Sequence, residues 1–203
     1  MLTRVREANR PKCAEYWPSN GQSLSFPENN YGPQVVVTSI VEKITPCWAE
    51  REFTVEEIQP DKTKRVFKCM QMHFLDWPDH GVPDSAASFL SFLHSVMSAQ
   101  RTAKKESKAA GDASCPLVVH CSAGVGRSGV FCTIYSALTY LPYLGRSSMS
   151  EIDVLSIVRK MRVCRRYMVQ TPAQYKFCFF AILHAARLYQ DGSRKLREKN
   201  MVF

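Results

Sequence analysis

Three stretches alternate apolar and polar positions in the manner of half-buried strands. They are Gln34 to Val41, Cys47 to Ile58 with Phe53 and Val55 on one face, and Arg65 to Phe74, where Val66, Lys68, Met70 and Met72 oppose Phe67, Cys69 and Gln71. Thr45-Pro46 and Pro60-Asp61 carry turn signals between them, so the pattern predicts an antiparallel meander. Downstream the period lengthens to that of a helix. Phe89, Leu90, Leu93 and Met97 form one apolar stripe, Val130, Phe131, Ile134, Leu138 and Leu141 a second, and Ile152, Leu155, Val158 and Met161 a third. A last helix runs through Ile182 and Leu183 toward Leu188. Asp84 is the expected N-cap of the first, Ser150 and Asp153 suit a capping box on the third, and Thr171, Pro172 and Gln174 spell the start of the fourth. Pro11 rules out a helix through residues 1–18, residues 19–33 are rich in Ser, Asn, Gly and Pro, and residues 99–115 lack an apolar period. The last two stretches read as a loop and a flexible connection, and Gly145 to Met149 as a turn.

The stretch between the meander and the second helical stripe carries the chemistry. Leu117, Val118 and Val119 are a short apolar run with two β-branched members that reads as a buried strand, and the loop after it opens into a helix. Unpaired N–H groups and the positive end of the helix dipole meet at such a point and favour an anion. Cys121 sits in that field, where a thiol ionises more readily than a free cysteine. Ser122, Ala123, Gly124, Val125 and Gly126 are small enough to curl with their N–H groups inward around an oxyanion, and Arg127 can close the ring with a bidentate fork. Two other readings compete. A cysteine beside a strand can be an inert small hydrophobe, which suits Cys132, Cys164 and Cys178 but leaves Arg127 and the glycines without a role. Gly124, Gly126 and Gly129 also spell a dinucleotide fingerprint, yet the second parallel strand ending in an acidic residue is replaced by a helical pattern at residues 150–163.

Composition narrows the class. With 203 residues and 45% hydrophobic content the chain reads as globular, one domain over residues 1–190 followed by a basic tail at residues 191–203. The net charge of +9 favours acidic partners. Part of it lies in Lys104, Lys105 and Lys108 and in Arg194, Lys195, Arg197 and Lys199, without the interleaved aromatics of a nucleic-acid surface, so no nucleic-acid partner is expected. The cluster Arg159, Lys160, Arg162, Arg165 and Arg166 reads as a solvated helix end. No apolar run approaches a membrane span, and Met1 to Arg10 is no signal peptide. Eight cysteines without metal-ligand spacing support neither disulfides nor a metal, and a reducing, cytoplasmic setting is expected.

Val119-His120-Cys121-Ser122-Ala123-Gly124-Val125-Gly126-Arg127-Ser128-Gly129 resembles the signature of the protein tyrosine phosphatases, tyrosine-specific branch. The resemblance implies an α/β fold, a mixed twisted sheet flanked by helices, with cysteine-based hydrolysis of phosphotyrosine in proteins and no cofactor. Trp77-Pro78-Asp79 resembles the family's mobile acid loop and makes Asp79 the general acid; Asp76, Asp84 and His80 are the competing groups nearby. Gln170 resembles the family's water-orienting glutamine, with Gln174 close by or serving only as a cap, and Ser128 would stabilise the departing thiolate. Glu7 matches a glutamate that holds the cradle arginine, though a solvated glutamate is an equal reading; Trp77 and His120 are supporting residues. The resemblance implies a catalytic domain lacking its N-terminal third, including the phosphotyrosine-recognition loop. Its wording is most similar to receptor-type members, whose parent protein carries a membrane anchor. A phosphatase-like module that binds phosphotyrosine peptides or a partner phosphatase without turnover is the alternative, and activity on phosphoserine or phosphoinositides a third.

Overall fold

The computed structural model describes residues 1–27, 32–78, 81–109, 115–141 and 152–200, with side chains to residue 191. They cluster into two compact units, Met1 with Thr3–Asp76, and Leu2 with Trp77–Phe203. Together they hold the strands and helices of an α/β fold.

The first unit is built on the meander. Strands β3 (Ser23–Phe26), β4 (Gln34–Ile44), β5 (Trp48–Ile58) and β6 (Lys64–Phe74) pair antiparallel in that order. The three long strands match the alternation. β3 lies within the stretch read as a loop, because four residues at a sheet edge are too few for a period to show. Residues 28–31 lie outside the described residues. Before it, β1 (Arg6–Glu7) and β2 (Arg10–Pro11) form a small hairpin whose two turn residues, Ala8 and Asn9, have φ of 45° and 62°. That is the left-handed pair a two-residue hairpin requires.

The hairpin turns of the meander follow their sequence signals. The Thr45 hydroxyl bonds the Trp48 carbonyl at 2.7 Å, and Asp61 Oδ1 accepts from the Thr63 N–H at 2.9 Å. One sheet face buries Phe53 with Met1 and Trp17, flanked by Val5, Cys13, Val37 and Val55. Arg51 is buried on that face and is paired rather than bare: Nε donates to Glu42 at 2.6 Å, Nη1 to Gln71 at 2.8 Å, and its guanidinium lies 5.1 Å from the Trp17 ring centroid.

The second unit carries four helices, α1 (Ala86–Ala109), α2 (Gly126–Tyr140), α3 (Val154–Cys164) and α4 (Pro172–Asn200). Their core includes Trp77, Phe89, Phe92, Phe131, Ile134, Phe177 and Ile182. The Trp77, Phe89 and Phe177 rings meet at centroid distances of 5.5 to 6.4 Å.

Several local expectations change. Ser85, not Asp84, caps α1: its hydroxyl accepts from the Ala87 N–H at 3.2 Å. α1 continues through the stretch read as a connection, to Ala109, because Ala, Gln, Arg, Lys and Glu are strong helix formers that need no buried face; residues 110–114 lie outside the described residues. Asp153 is itself the N-cap of α3, accepting from Ser156 at 2.9 Å. Ser150, Glu151 and the Gly145–Met149 turn lie outside the described residues. Leu155 is 44% exposed and Val154 takes its place in the core. Leu117 and Val118, 37% and 79% exposed, belong to no strand and no ladder among the described residues, so the buried strand is not formed there. Such a run favours a strand, whereas burial needs neighbours that the run cannot supply.

Candidate active site

Helix α2 starts at Gly126, four residues before Val130 opens the apolar period, which puts Arg127 and Ser128 in its first turn. Its N-cap, Val125, makes no side-chain capping bond. The sequence has no Ser, Thr, Asp or Asn there to satisfy the first N–H groups, and they are left for an anion. Cys121 occupies that position and is 7% exposed.

The Cys121 thiol is held below its ordinary pKa. Burial pushes it upward, but the Ser128 hydroxyl and the N–H groups of Ser128, Gly124 and Val125 stabilise the thiolate and outweigh burial. Ser128 Oγ is itself buried with no hydrogen-bond partner at ordinary geometry, which leaves it able to donate as negative charge forms on sulfur. Gly124, at φ 72°, makes the left-handed turn that aims the loop inward. Gly126 has ordinary φ and is a glycine for space: a Cβ there would lie 2.8 Å from Gln170 Oε1 and 3.1 Å from Gln174 Nε2.

Arg127 is positioned by backbone. Nη1 donates to the Leu2 carbonyl at 3.1 Å, Nη2 to the Pro78 carbonyl at 3.2 Å, and the guanidinium lies 5.7 Å from the Trp77 ring centroid. Trp77 is fixed in the aromatic core and donates through Nε1 to the Gly81 carbonyl at 3.3 Å. The Leu2 N–H in turn donates to the His120 carbonyl at 2.9 Å. The His120 ring donates through Nδ1 to the Cys121 carbonyl at 3.2 Å, and burial holds its pKa below the usual imidazole value.

The segment before α4 closes against the start of α2. The Val169 N–H donates to the Val125 carbonyl at 3.0 Å, and Arg162 grips the carbonyls of Met168 and Val169 at 2.9 and 2.8 Å. These bonds hold Tyr167 and Val169 at φ of 65° and 60°, a conformation that a β-branched residue adopts only when its surroundings impose it. Gln170 follows at once, its N–H bonded to Gln174 Oε1 at 2.8 Å, while the Thr171 hydroxyl accepts from the Gln174 N–H at 3.2 Å. Gln174 therefore caps α4 and also stands against Gly126.

A family profile described as protein-tyrosine phosphatase matches residues 1–184. The chain belongs to the protein-tyrosine phosphatase family. It is 37% identical over 189 residues to tyrosine-protein phosphatase non-receptor type 9 of Homo sapiens, covering 92% of this chain and 30% of that protein. It is 36% identical over 200 residues to receptor-type tyrosine-protein phosphatase eta of Homo sapiens, covering 98% of this chain and 13% of that protein. Against tyrosine-protein phosphatase 2 of Dictyostelium discoideum it is 34% identical over 200 residues, covering 98% and 48%. The chain thus spans less than half the length of each of these phosphatases.

Of the phosphatase residues named from sequence, Cys121, Gly124, Val125, Gly126, Ser128, Gln170 and Gln174 come together around the α2 start. Ser122 and Ala123 are exposed on the loop. Asp79 and His80 lie outside the described residues. Glu7 belongs to the first unit, where it is buried and accepts from the Thr3 hydroxyl at 2.9 Å and the Arg4 N–H at 3.1 Å. Arg162 and Arg165 are exposed, in keeping with a solvated basic end, and in addition Arg162 bonds the carbonyls before Gln170 and Arg165 Nη2 donates to the Ala123 carbonyl at 3.1 Å. Charge spacing on α3 gave no signal of this, since Arg165 reaches a carbonyl 42 residues away and Arg162 reaches carbonyls six and seven residues on, past the end of the helix. Among the described residues no trio of His, Cys, Asp or Glu is placed to hold a metal ion, and no helix is long and apolar enough to cross a membrane.

Proposed function

We propose that the protein hydrolyses phosphotyrosine in other proteins through a cysteinyl-phosphate intermediate. The observation that carries this reading is the buried Cys121, its thiolate stabilised by three loop and helix N–H groups at an uncapped helix start. Cys121 Sγ attacks phosphorus in line with the departing phenol. The N–H groups and Arg127 take the charge on the equatorial oxygens, a task suited to preorganised dipoles in a water-poor site. Asp79 protonates the leaving tyrosyl oxygen. A water oriented by Gln170 then attacks the cysteinyl-phosphate, Asp79 takes its proton, and the Ser128 hydroxyl stabilises the departing thiolate. The nucleophile requires a reduced thiol, which suits the cytoplasm or the intracellular part of a receptor.

Release of phosphate from a phosphotyrosine peptide by the 203-residue chain tests this. Cys121→Ser abolishes turnover, and Asp79→Ala lowers it by on the order of 10²–10⁴, the usual contribution of a positioned general acid. A chain that is folded by near-UV circular dichroism yet gives neither turnover nor a trapped phosphoenzyme overturns the proposal.

A further inference from the structure

The loop that receives the phosphate has a feature that its own residues do not explain: which way the Ala123–Gly124 peptide faces. In a trans peptide the C=O and N–H point in opposite directions, so fixing one fixes the other. The described residues contain no cis peptide bond. Arg165 Nη2 donates to the Ala123 carbonyl at 3.1 Å from outside the loop. The same guanidinium lies against Gly124, 3.2 Å from where a Cβ would stand. The Gly124 N–H, on the opposite edge of that peptide, is one of the groups that stabilise the Cys121 thiolate.

From this geometry we propose that Arg165 is a positioning residue for the nucleophile: by holding the Ala123 carbonyl outward it turns the Gly124 N–H inward to the Cys121 sulfur. Two features make such a clamp necessary. Gly124 sits at φ 72°, and glycine is the residue whose flanking peptides flip most freely, so the loop alone does not choose the orientation. Ser122 and Ala123 are exposed and contribute no packing that would choose it for them. The Arg165 backbone is in turn anchored at the end of α3, where it is the C-cap residue and donates its own N–H to the Met161 carbonyl at 2.8 Å, while its side chain is exposed. The planar fork reaches the carbonyl while its Nη2 and Cζ stand 3.2 and 3.6 Å from the Gly124 Cβ position, a two-point fit that the single ammonium of a lysine does not reproduce.

Charged and titratable groups with a contact at or beside the loop include His120 before it, Arg127 on α2, Arg162 on α3 and Arg165 after α3, with the neutral Gln170 and Gln174 against Gly126. Of these, His120 bonds the Cys121 carbonyl at 3.2 Å, and Arg165 bonds the carbonyl of the Ala123–Gly124 peptide. Its positive charge also favours a thiolate at a distance, and the test separates this from orientation.

The inference rests on Cys121 as the nucleophile of the proposed reaction, but thiol alkylation reads the sulfur without turnover. The experiment therefore measures the pH dependence of Cys121 alkylation by iodoacetamide in the full chain, followed by mass spectrometry of the Cys121 peptide. Wild type, Arg165→Met and Arg165→Lys are compared at low and high salt, with near-UV circular dichroism to establish folding. The expected result is slower alkylation of Cys121 in Arg165→Met by about 3- to 10-fold near pH 6, as for a thiol pKa raised by half to one unit. The rates converge above the thiol pKa, Arg165→Lys recovers only part of the loss, and high salt leaves the difference in place. An unchanged alkylation profile overturns the proposal, as does full recovery by lysine together with loss of the difference at high salt, which would reduce Arg165 to a distant charge. If Arg165→Met does not fold, Arg165→Lys alone decides: an alkylation profile equal to wild type sinks the clamp. A shifted profile in a chain without phosphatase turnover would uphold the clamp and sink the hydrolytic reading.

Discussion

Replacing Gly129 by alanine tests the closure of the site more directly than any change to the nucleophile. Gly129 lies inside α2, and alanine in place of a helical glycine normally stabilises by about 0.5–1 kcal/mol. Here the sign reverses. A Cβ at this position would stand 2.3 Å from the Val169 nitrogen, 3.1 Å from the Met168 carbonyl carbon and 3.2 Å from Val169 Cα. These are backbone atoms, so no rotamer change relieves them, and reaching ordinary contact at 3.4 Å requires a shift of 3.4 less 2.3, about 1 Å. The Val169 N–H is bonded to Val125 at 3.0 Å, so that shift breaks a hydrogen bond as well as opening the packing. Overpacking costs about 1–3 kcal/mol and the lost bond about 1 kcal/mol, against a helix gain of up to about 1 kcal/mol. The net expectation is a destabilisation of about 1–3 kcal/mol. Urea denaturation followed by far-UV circular dichroism measures it as a lower midpoint at unchanged slope. Because Gln170 is joined to Val169, hydrolysis of the phosphoenzyme should slow more than its formation, giving a burst of phenol in stopped-flow. A variant as stable as wild type, or more stable, would show that the Val169 segment does not press on α2 as described.

Gly126→Ala should behave differently, since its Cβ meets the ends of two flexible side chains, Gln170 and Gln174: stability stays within about 1 kcal/mol of wild type while the burst appears. Thr171→Ala removes the hydroxyl that accepts from Gln174 and should lower stability by about 0.5–2 kcal/mol in the same urea assay. The two buried thiols have opposite pH dependences. Burial pushes Cys178 up to about 12, so its contribution to stability is complete below the ordinary thiol value of 9.0 and declines as pH rises toward 12; Cys178→Ala should flatten that decline in denaturation midpoints. Cys121 is shifted down, so its contribution is present above 9.0 and fades as pH falls through its depressed value. The stability advantage of wild type over Cys121→Ser should therefore grow as pH is raised from the acid side toward 9.0, and an advantage that shrinks over that range would contradict a stabilised thiolate.

What the sequence determined by itself was the part of the molecule written in neighbouring residues. The meander was legible because alternation over eleven-residue strands outweighs local noise, and the α4 start because Thr171, Pro172 and Gln174 satisfy the first turn from within four positions. Cys121 and Arg127 could be proposed from a small-residue loop ahead of a helix, where an anion site forms from neighbouring residues, whereas Gln170 could be proposed only through the family resemblance of its own stretch. Tertiary structure decided what depends on distant partners. Leu117 and Val118 carry a strand's composition, yet without paired neighbours among the described residues they stay exposed. Ser85 and Asp84 were equally good caps by residue type, and the backbone geometry selected Ser85. Gly124 and Gly126 look alike in sequence, but one is a glycine for its φ and the other for the glutamines that press against it. Arg162 and Arg165 read as a solvated basic end because charge pattern carries no information about which carbonyl a guanidinium will reach. That is fixed only when α3 and the segment after it pack beside the loop, and there two surface arginines become the clamps of the site.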